Sequence, residues 1–423
     1  MTSALAEQLR TALGVAAVEN VAPLSGGASR ETWAFDAVHG DGTREELVLR
    51  RDPPGRPSEP GSMAREARTI GAASAAGLAV PGVLALAEDA SQWGSAGLVM
   101  RRIAGETLAR RILRNDAYAH ARAVLVSQLG HFAAGLHAIS ADFDLPNPDP
   151  LDVVRSMLDE VEDSSAVFDL ALAHLEANRP PVRRPVIVHG DLRLGNVIVG
   201  ADGLRAVLDW ELVHAGSPAE DLGWLCVRAW RFGAEPAVAG LGTRAELLSA
   251  YRDAGGTDID EDELRWWELY GTLRWGAICM WQAQAHLSGA LRSVELAAIG
   301  RRVSEQEWDL LAMLEPQAVE RAVGNPPGRS ARPATHAYRN EHGRPTAAEL
   351  LEAVREFLSN DAMPALPSEL AFRARVAANA VGIVERELAL GDVPAPADDS
   401  VDELARHVLA KLLVANPRYV THS

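Results

Sequence analysis

The octapeptide HGDLRLGN, His189 to Asn196, and the downstream LDWE that carries Asp209 hold the side chains best suited to chemistry. Asp191 and Asn196 stand five residues apart, and Asp209 follows Asp191 by 18. A strand before His189 and a hairpin after Asn196 would set two carboxylates and an amide side by side. Phosphoryl transfer asks for such a set. One carboxylate accepts or orients the nucleophilic hydroxyl, while an amide oxygen and a second carboxylate hold the magnesium ion that neutralises phosphate charge. HGD alone is compatible with a plain turn, because Asp and Gly favour turns whatever their function. Asp-x-x-x-x-Asn followed by a strand pair and Asp-Trp is a rarer coincidence, and it matches the spacing of a kinase catalytic loop and its second metal ligand.

The elements around this segment fall into two regimes. VENVAPLSGGASRETWAFDAVHGDGTREELVLRRD alternates apolar and polar residues with HGDG as hairpin punctuation, which predicts strands near 18–25, 29–38 and 44–51. Ser62 reads as the N-cap of a helix to about Ala76, and two further strands follow near 82–88 and 96–103. From Gly105 the period turns helical, interrupted only by PVIVHG, NVIVG and LRAVLDW. Residues 315–345 have linker composition, and three helical patterns follow near 346–358, 367–389 and 399–415, the first with Thr346 as N-cap.

Composition sets outer limits. The 423 residues carry 41 basic and 58 acidic side chains, a net charge of −17, which argues against non-specific nucleic-acid binding. Two isolated cysteines, Cys226 and Cys279, build neither a disulfide framework nor a zinc knuckle. Lys411 is the sole lysine, so no Walker A loop exists. The least polar stretch, Thr69 to Ala87, is broken by Gly77, Pro81 and Gly82, and the first residues lack a secretory pattern. A cytoplasmic protein with no membrane segment is the expectation.

HGDLRLGNVIV, LDWE and AEDLGWL together resemble the aminoglycoside phosphotransferase and choline kinase superfamily over roughly residues 15–315. The resemblance implies an α+β, bilobal protein-kinase-like fold: a small antiparallel β lobe with one main helix, a large mostly helical lobe, and here a C-terminal three-helix module. Residues 1–104 would be the nucleotide-binding lobe and 105–315 the catalytic and acceptor lobe, with 316–342 as linker and 343–423 as helical accessory domain. By matching positions, Asp191 would be the catalytic base, Asn196 and Asp209 the magnesium ligands, His189 a loop-holding residue and Asp221 a structural buttress. ATP would lie between the lobes under SGGASRE, where Ser25, Gly26 and Gly27 let backbone N–H groups approach phosphate. Arg50 stands where a kinase lysine binds the α/β phosphates, with Glu66 on the next helix as its partner; Arg51 would face the other way. Backbone around Met100 and Arg102 would meet the adenine.

The acceptor is read from further likenesses. REARTIGAASAAGLAVP, LVLRRDPPG, ELVHAGSPAEDLGWLCVRAWRFG and LRWWELYGTLRWG resemble the branch that contains the kinase half of acyl-CoA dehydrogenase fusions and the levulinate-pathway kinase. That branch implies phosphorylation of a 4-hydroxyacyl-CoA or related hydroxy acid, and an arginine at the strand-cation position is usual in it. A CoA thioester wants cations and an apolar slot, for which Arg193, Trp224, Arg228, Trp230, Arg231 and Trp275 are candidates; aromatic residues at helical spacing also serve as plain core. An aminoglycoside, macrolide or other amino alcohol is the alternative acceptor, and a nucleotide-binding pseudokinase scaffold the alternative of another class. Residues from about 343 to 392 resemble a small helical domain of unknown function, a candidate for docking or for dimerisation through or beside the tail.

Overall fold

Strand alternation, a short hairpin and one amphipathic helix account for the first lobe. In the computed structural model, residues 2–24, 30–53, 59–140, 145–161, 165–326, 345–393, 395–398 and 400–420 are described. Helix α1 (Thr2–Leu13) precedes strands β1 (Ala17–Leu24), β2 (Glu31–Val38) and β3 (Arg44–Arg51). Helix α2 (Ser62–Ala75) leads to β4 (Val83–Ala87) and β5 (Gly97–Arg101). The five strands form one antiparallel sheet in the order β1-β2-β3-β5-β4. Each expected strand is found to within two residues. One sheet face buries Trp33, Phe35, Leu47, Leu49 and Val99 against Leu5 and Leu9 of α1. Because side chains alternate along a strand, Arg50 emerges on the other face, the one shared by Val48 and by Met100 of β5. The N-cap expectation for Ser62 fails: Gly61, in a left-handed conformation with φ 80°, takes that place without a side-chain cap, and Ser62 begins the helix.

The chain continues through α3 (Ala109–Arg114), α4 (Ala119–His137), α5 (Pro150–Asp159) and α6 (Ala166–Ala177). Short strands β6 (Val186–Val188), β7 (Val197–Gly200), β8 (Gly203–Val207) and β9 (His214–Gly216) follow, then α7 (Pro218–Cys226), α8 (Arg244–Asp253) and α9 (Glu261–Leu287). β6 pairs with β9, and β7 with β8, both antiparallel. Helix α4 is the spine here, burying Leu125, Leu129, Phe132, Ala133 and Leu136. Its Gly130 lets α8 approach so closely that a Cβ would lie 3.0 Å from Ala250 Cβ.

Two compact units divide the chain: 1–148 with 180–268, and 149–179 with 269–423. Everything above except α5, α6 and most of α9 belongs to the first. The second adds α10 (Val294–Ile299), α11 (Val303–Leu314), α12 (Pro316–Gly324), α13 (Ala347–Glu356), α14 (Met363–Ala365), α15 (Ser368–Leu390) and α16 (Val401–Ala415). Thr346 caps α13 in a reciprocal capping box with Glu349, as expected from sequence. Within this unit α11 is buried from Ser304 to Leu311, including three acids. Glu307 accepts from Lys411 Nζ at 2.5 Å and Ser165 Oγ at 2.8 Å, Glu305 from Asn416 Nδ2 at 2.8 Å, and Asp309 from the Tyr419 hydroxyl at 2.5 Å. Residues after 400 thus supply three of these four donors, Lys411 from α16 and Asn416 and Tyr419 from just beyond it. Among the described residues no helix is long and apolar enough to cross a membrane.

Truncation after residue 400 removes those donors and the buried face of Leu404, Val408, Leu409 and Leu412. That burial alone is on the order of 6–12 kcal/mol gross for four side chains. The shortened chain should show a lowered thermal midpoint and aggregation by size-exclusion chromatography; an unchanged midpoint would mean that α11 does not depend on α16.

Candidate active site

The loop after β6 is fixed from below by one carboxylate. Asp221, on α7 and fully buried, accepts from the backbone N–H of His189 at 2.8 Å through Oδ2 and of Gly190 at 3.0 Å through Oδ1. His137 Nε2 lies 3.2 Å from Oδ2, and its Nδ1 shares a 2.9 Å hydrogen bond with the Tyr251 hydroxyl. Burial opposes the charge on Asp221. The hydrogen bond from His137, the nearby His137 and His189 rings and the His189 N–H outweigh it and hold the carboxyl below its ordinary range. Gly190 turns the chain at φ 79°, where a Cβ would meet the Leu212 carbonyl oxygen at 2.6 Å. His189 ties the loop to the hairpin: its Nδ1 accepts from the Asp191 N–H at 3.2 Å, so Nε2 is the donor to the Leu208 carbonyl at 3.0 Å.

That arrangement brings the sequence-predicted trio together. Asn196 Nδ2 donates to Asp191 Oδ2 at 2.5 Å and to the Asp191 carbonyl at 3.0 Å. Across the β7–β8 pair, the Leu208 N–H donates to the Asn196 carbonyl at 2.8 Å, which places Asp209 next in line. Asp209 itself is left-handed at φ 67°, an uncommon conformation for a residue with a Cβ, and the following turn is locked by Trp210 Nε1 on the Val207 carbonyl at 3.1 Å.

Above them Arg50 joins three acids. Its Nη1 donates to Glu66 Oε1 at 2.6 Å, and its Nη2 to Asp209 Oδ1 and, at 3.0 Å, to Glu211 Oε2. Burial works against the guanidinium charge, but Glu66, Asp209 and Glu211 more than offset it, so Arg50 is held charged above its usual range. Arg51 points the opposite way, to Glu31 Oε2 and the Trp93 carbonyl. A second arginine went unnoticed in the sequence. Arg30, buried, donates to the other oxygen of Glu66 and lies 3.4 Å from Asp52 and 3.7 Å from Glu211. Its only signal in the sequence is its place immediately before β2.

Among the described residues, two arginines therefore face four carboxylates. The Asn196 amide oxygen and the Asp209 carboxylate are hard oxygen donors, and among the described residues no group of three His, Cys, Asp or Glu is set to hold a metal. Two such protein oxygens fit magnesium, which keeps most of its positions for water and phosphate.

The remaining candidates divide. Ser25, Gly26 and Gly27 lie outside the described residues. Met100 is buried on the sheet face that carries Arg50. Arg102 is exposed; its N–H donates to the Glu46 carbonyl, and that of Arg101 to Gly82, so neither N–H is open to a ligand. Arg193 Nε and Trp224 Nε1 both donate to Asp191 Oδ1, at 2.9 and 2.8 Å, and the Arg193 guanidinium lies 4.8 Å from the centre of the Trp230 ring. Arg228 is half-buried in the short helical turn that also holds Trp230. Arg231 instead turns to the Cys226 carbonyl and, with Arg244, to buried Glu268. Trp275 belongs to the second unit, where Arg302 covers its ring at 5.7 Å.

Asp221→Asn should cost about 3–5 kcal/mol, because a buried carboxylate with three donors loses one acceptor. The folded carboxyl is depressed, so wild-type stability is present above about pH 4 and falls as pH drops through the folded value. Urea unfolding across pH 3–7 should show that acid limb flattened in the variant.

The phosphotransferase enzyme family, APH, matches residues 20–267, more than half of the chain, and a domain of unknown function, DUF6285, matches residues 364–400. Mouse acyl-CoA dehydrogenase family member 10 is 29% identical over 209 residues, 46% of this chain and 19% of that protein. Homoserine kinase of Methylobacterium nodulans is 30% identical over 153 residues, 34% of this chain and 45% of the enzyme. The chain thus spans less than half the length of either relative. A candidate aminoglycoside phosphotransferase from Ralstonia eutropha JMP134 superposes with a TM-score of 0.57 at 24% identity, over 73% of this chain and 98% of that one, a likeness of fold. With the kinase-like arrangement of sheet, loop and hairpin described above, this chain belongs to the APH family of phosphotransferase enzymes.

Proposed function

We propose that the enzyme moves the γ-phosphate of ATP to the hydroxyl of a small acceptor, with Asp191 as the group that orients that hydroxyl. The observation that carries this reading is the continuous chain Asp191–Asn196, Leu208–Asn196 and Asp209–Arg50–Glu66, which links a hydroxyl-directing carboxylate to a phosphate-directing cation. Arg50, anchored by Glu66, would meet the α/β phosphates as a fixed positive charge. Asn196 and Asp209 would hold a magnesium ion, which when bound neutralises charge on the β and γ phosphates. The acceptor oxygen bonds to the γ-phosphorus, the bond to the β-phosphate oxygen breaks, ADP leaves and the hydroxyl proton passes to Asp191. Residues 1–104 would serve as nucleotide lobe, 105–315 as catalytic and acceptor lobe, 316–342 as linker and 343–423 as accessory domain, in a cytoplasmic enzyme that pairs through or beside its tail.

For the acceptor we favour a 4-hydroxyacyl-CoA or related hydroxy acid. The side chains that touch Asp191 are Asn196, Arg193 and Trp224, with Trp230 behind Arg193. The Arg193 cation over the Trp230 indole, beside the base, suits an anionic or apolar acceptor, whereas a polycationic aminoglycoside asks for carboxylates there. The likeness to an acyl-CoA dehydrogenase family member points the same way.

Asp191→Asn should lower kcat by about 10²–10⁴-fold while nucleotide affinity, measured by calorimetry, changes little; wild-type turnover would remove Asp191 from the mechanism. Asp209→Ala should abolish the magnesium-dependent part of ATP binding, and an unchanged magnesium response would count against that ligand. An ATP-consumption panel of 4-hydroxyacyl-CoAs, free hydroxy acids and aminoglycosides should favour the first; preference for a polycation would overturn the acceptor.

A further inference from the structure

We infer that Trp224 is a positioning residue for Asp191 rather than part of the acceptor wall: its indole N–H, together with Arg193, occupies Oδ1 and leaves Oδ2 as the oxygen that meets the acceptor hydroxyl. This rests on Asp191 being the hydroxyl-orienting carboxylate, as proposed above. A carboxylate offers two acceptor sites on each oxygen. Oδ1 has both filled, by Arg193 Nε at 2.9 Å and Trp224 Nε1 at 2.8 Å. Among the described residues Oδ2 accepts from Asn196 Nδ2 alone, at 2.5 Å, which leaves one site open to them.

The geometry around Trp224 is that of a fixed support. It is 4% exposed and sits on α7 three residues after Asp221, so the two side chains lie on one face of the helix. The same helix therefore holds the loop twice, through its backbone by Asp221 and through the Asp191 side chain by Trp224. Trp224 leans on Trp230 with ring centres 5.2 Å apart, and Arg193 lies over Trp230 at 4.8 Å, which closes a ring of four residues through Asp191. The torsion that swings a free carboxylate is broad, and one bond from Asn196 would leave rotation about it. Donors from the loop and from α7 on the opposite oxygen remove that freedom. An off-axis carboxylate would still bind substrates but would meet the hydroxyl less often in line.

The test is kinetic and spectroscopic on the full chain, with ATP and the best acceptor of the panel above, and with water as acceptor through ATP hydrolysis. Trp224→Phe keeps a ring and deletes the donor. It should lower kcat about 10–100-fold in both assays, the range for one hydrogen bond to a charged group, with KM for ATP and acceptor nearly unchanged. In an Asp191→Asn background the same substitution should add almost nothing, since residues that act through one another are not additive. A raised acceptor KM at unchanged kcat, or losses that multiply in the double variant, would overturn the inference. Benzothienylalanine at position 224, which keeps the indole outline without the N–H, gives the same comparison should Trp224→Phe unfold. Independently of turnover, the Trp224 indole resonance, identified by its loss in Trp224→Phe, should be selectively displaced by Asp191→Asn among the ten tryptophans; no displacement would overturn the contact. Full activity of Asp191→Asn alongside that displacement would instead sink the role of Asp191 and leave the contact standing.

Discussion

The loop that carries Asp191 depends on one carboxylate that solvent does not reach. Two consecutive backbone N–H groups, of His189 and Gly190, point into the interior, where no water could satisfy them. Asp221 takes both, and His137 and Tyr251 behind it complete the set. Left unpaired, each N–H would cost about 1–3 kcal/mol and the loop would open. Once they are satisfied, the left-handed turn at Gly190, the direction of Asp191 and the reach of His189 toward Leu208 all follow.

The upper half is governed by charge in place of backbone geometry. Arg30 and Arg50 divide the two oxygens of Glu66 between them, which pins a buried glutamate that neither could hold alone. Glu211 lies against both, and Asp52 and Asp209 take the outer flanks. In a poorly solvated site such a lattice has few alternative arrangements, because displacing any one member leaves another charge uncompensated. The strand cation is thereby held ready at one place and in one ionic state.

Much of this was legible in the sequence, and the reasons differ by residue. Asp191, Asn196 and Asp209 were found because their spacing maps onto a strand, a tight turn and a hairpin, all local structures. Arg50 and Glu66 are paired in the sequence by the kinase resemblance, which puts a cation on that strand and a carboxylate on the next helix, and the two side chains do meet. Ser62 was misread as a cap, because serine before an apolar run is ambiguous by one residue and Gly61 supplies the left-handed turn. Arg30 was missed, and Arg231 was placed with the acceptor although it binds Glu268, because partners 36 or 37 residues away are set by packing that no local pattern encodes. The indole of Trp224 is legible by its type, whereas the Asp191 oxygen it serves is set by packing between α7 and the loop.

The solitary lysine has a practical corollary. Amine-directed reagents find a single side chain in this protein, and that side chain sits where α16 lies on α11, held against Glu307. Acylating it would erase a positive charge that opposes that glutamate, so the modification and the ion pair exclude one another. The rate at which Lys411 is labelled thus reports how often its amine leaves Glu307, readable by mass spectrometry without introducing any foreign probe.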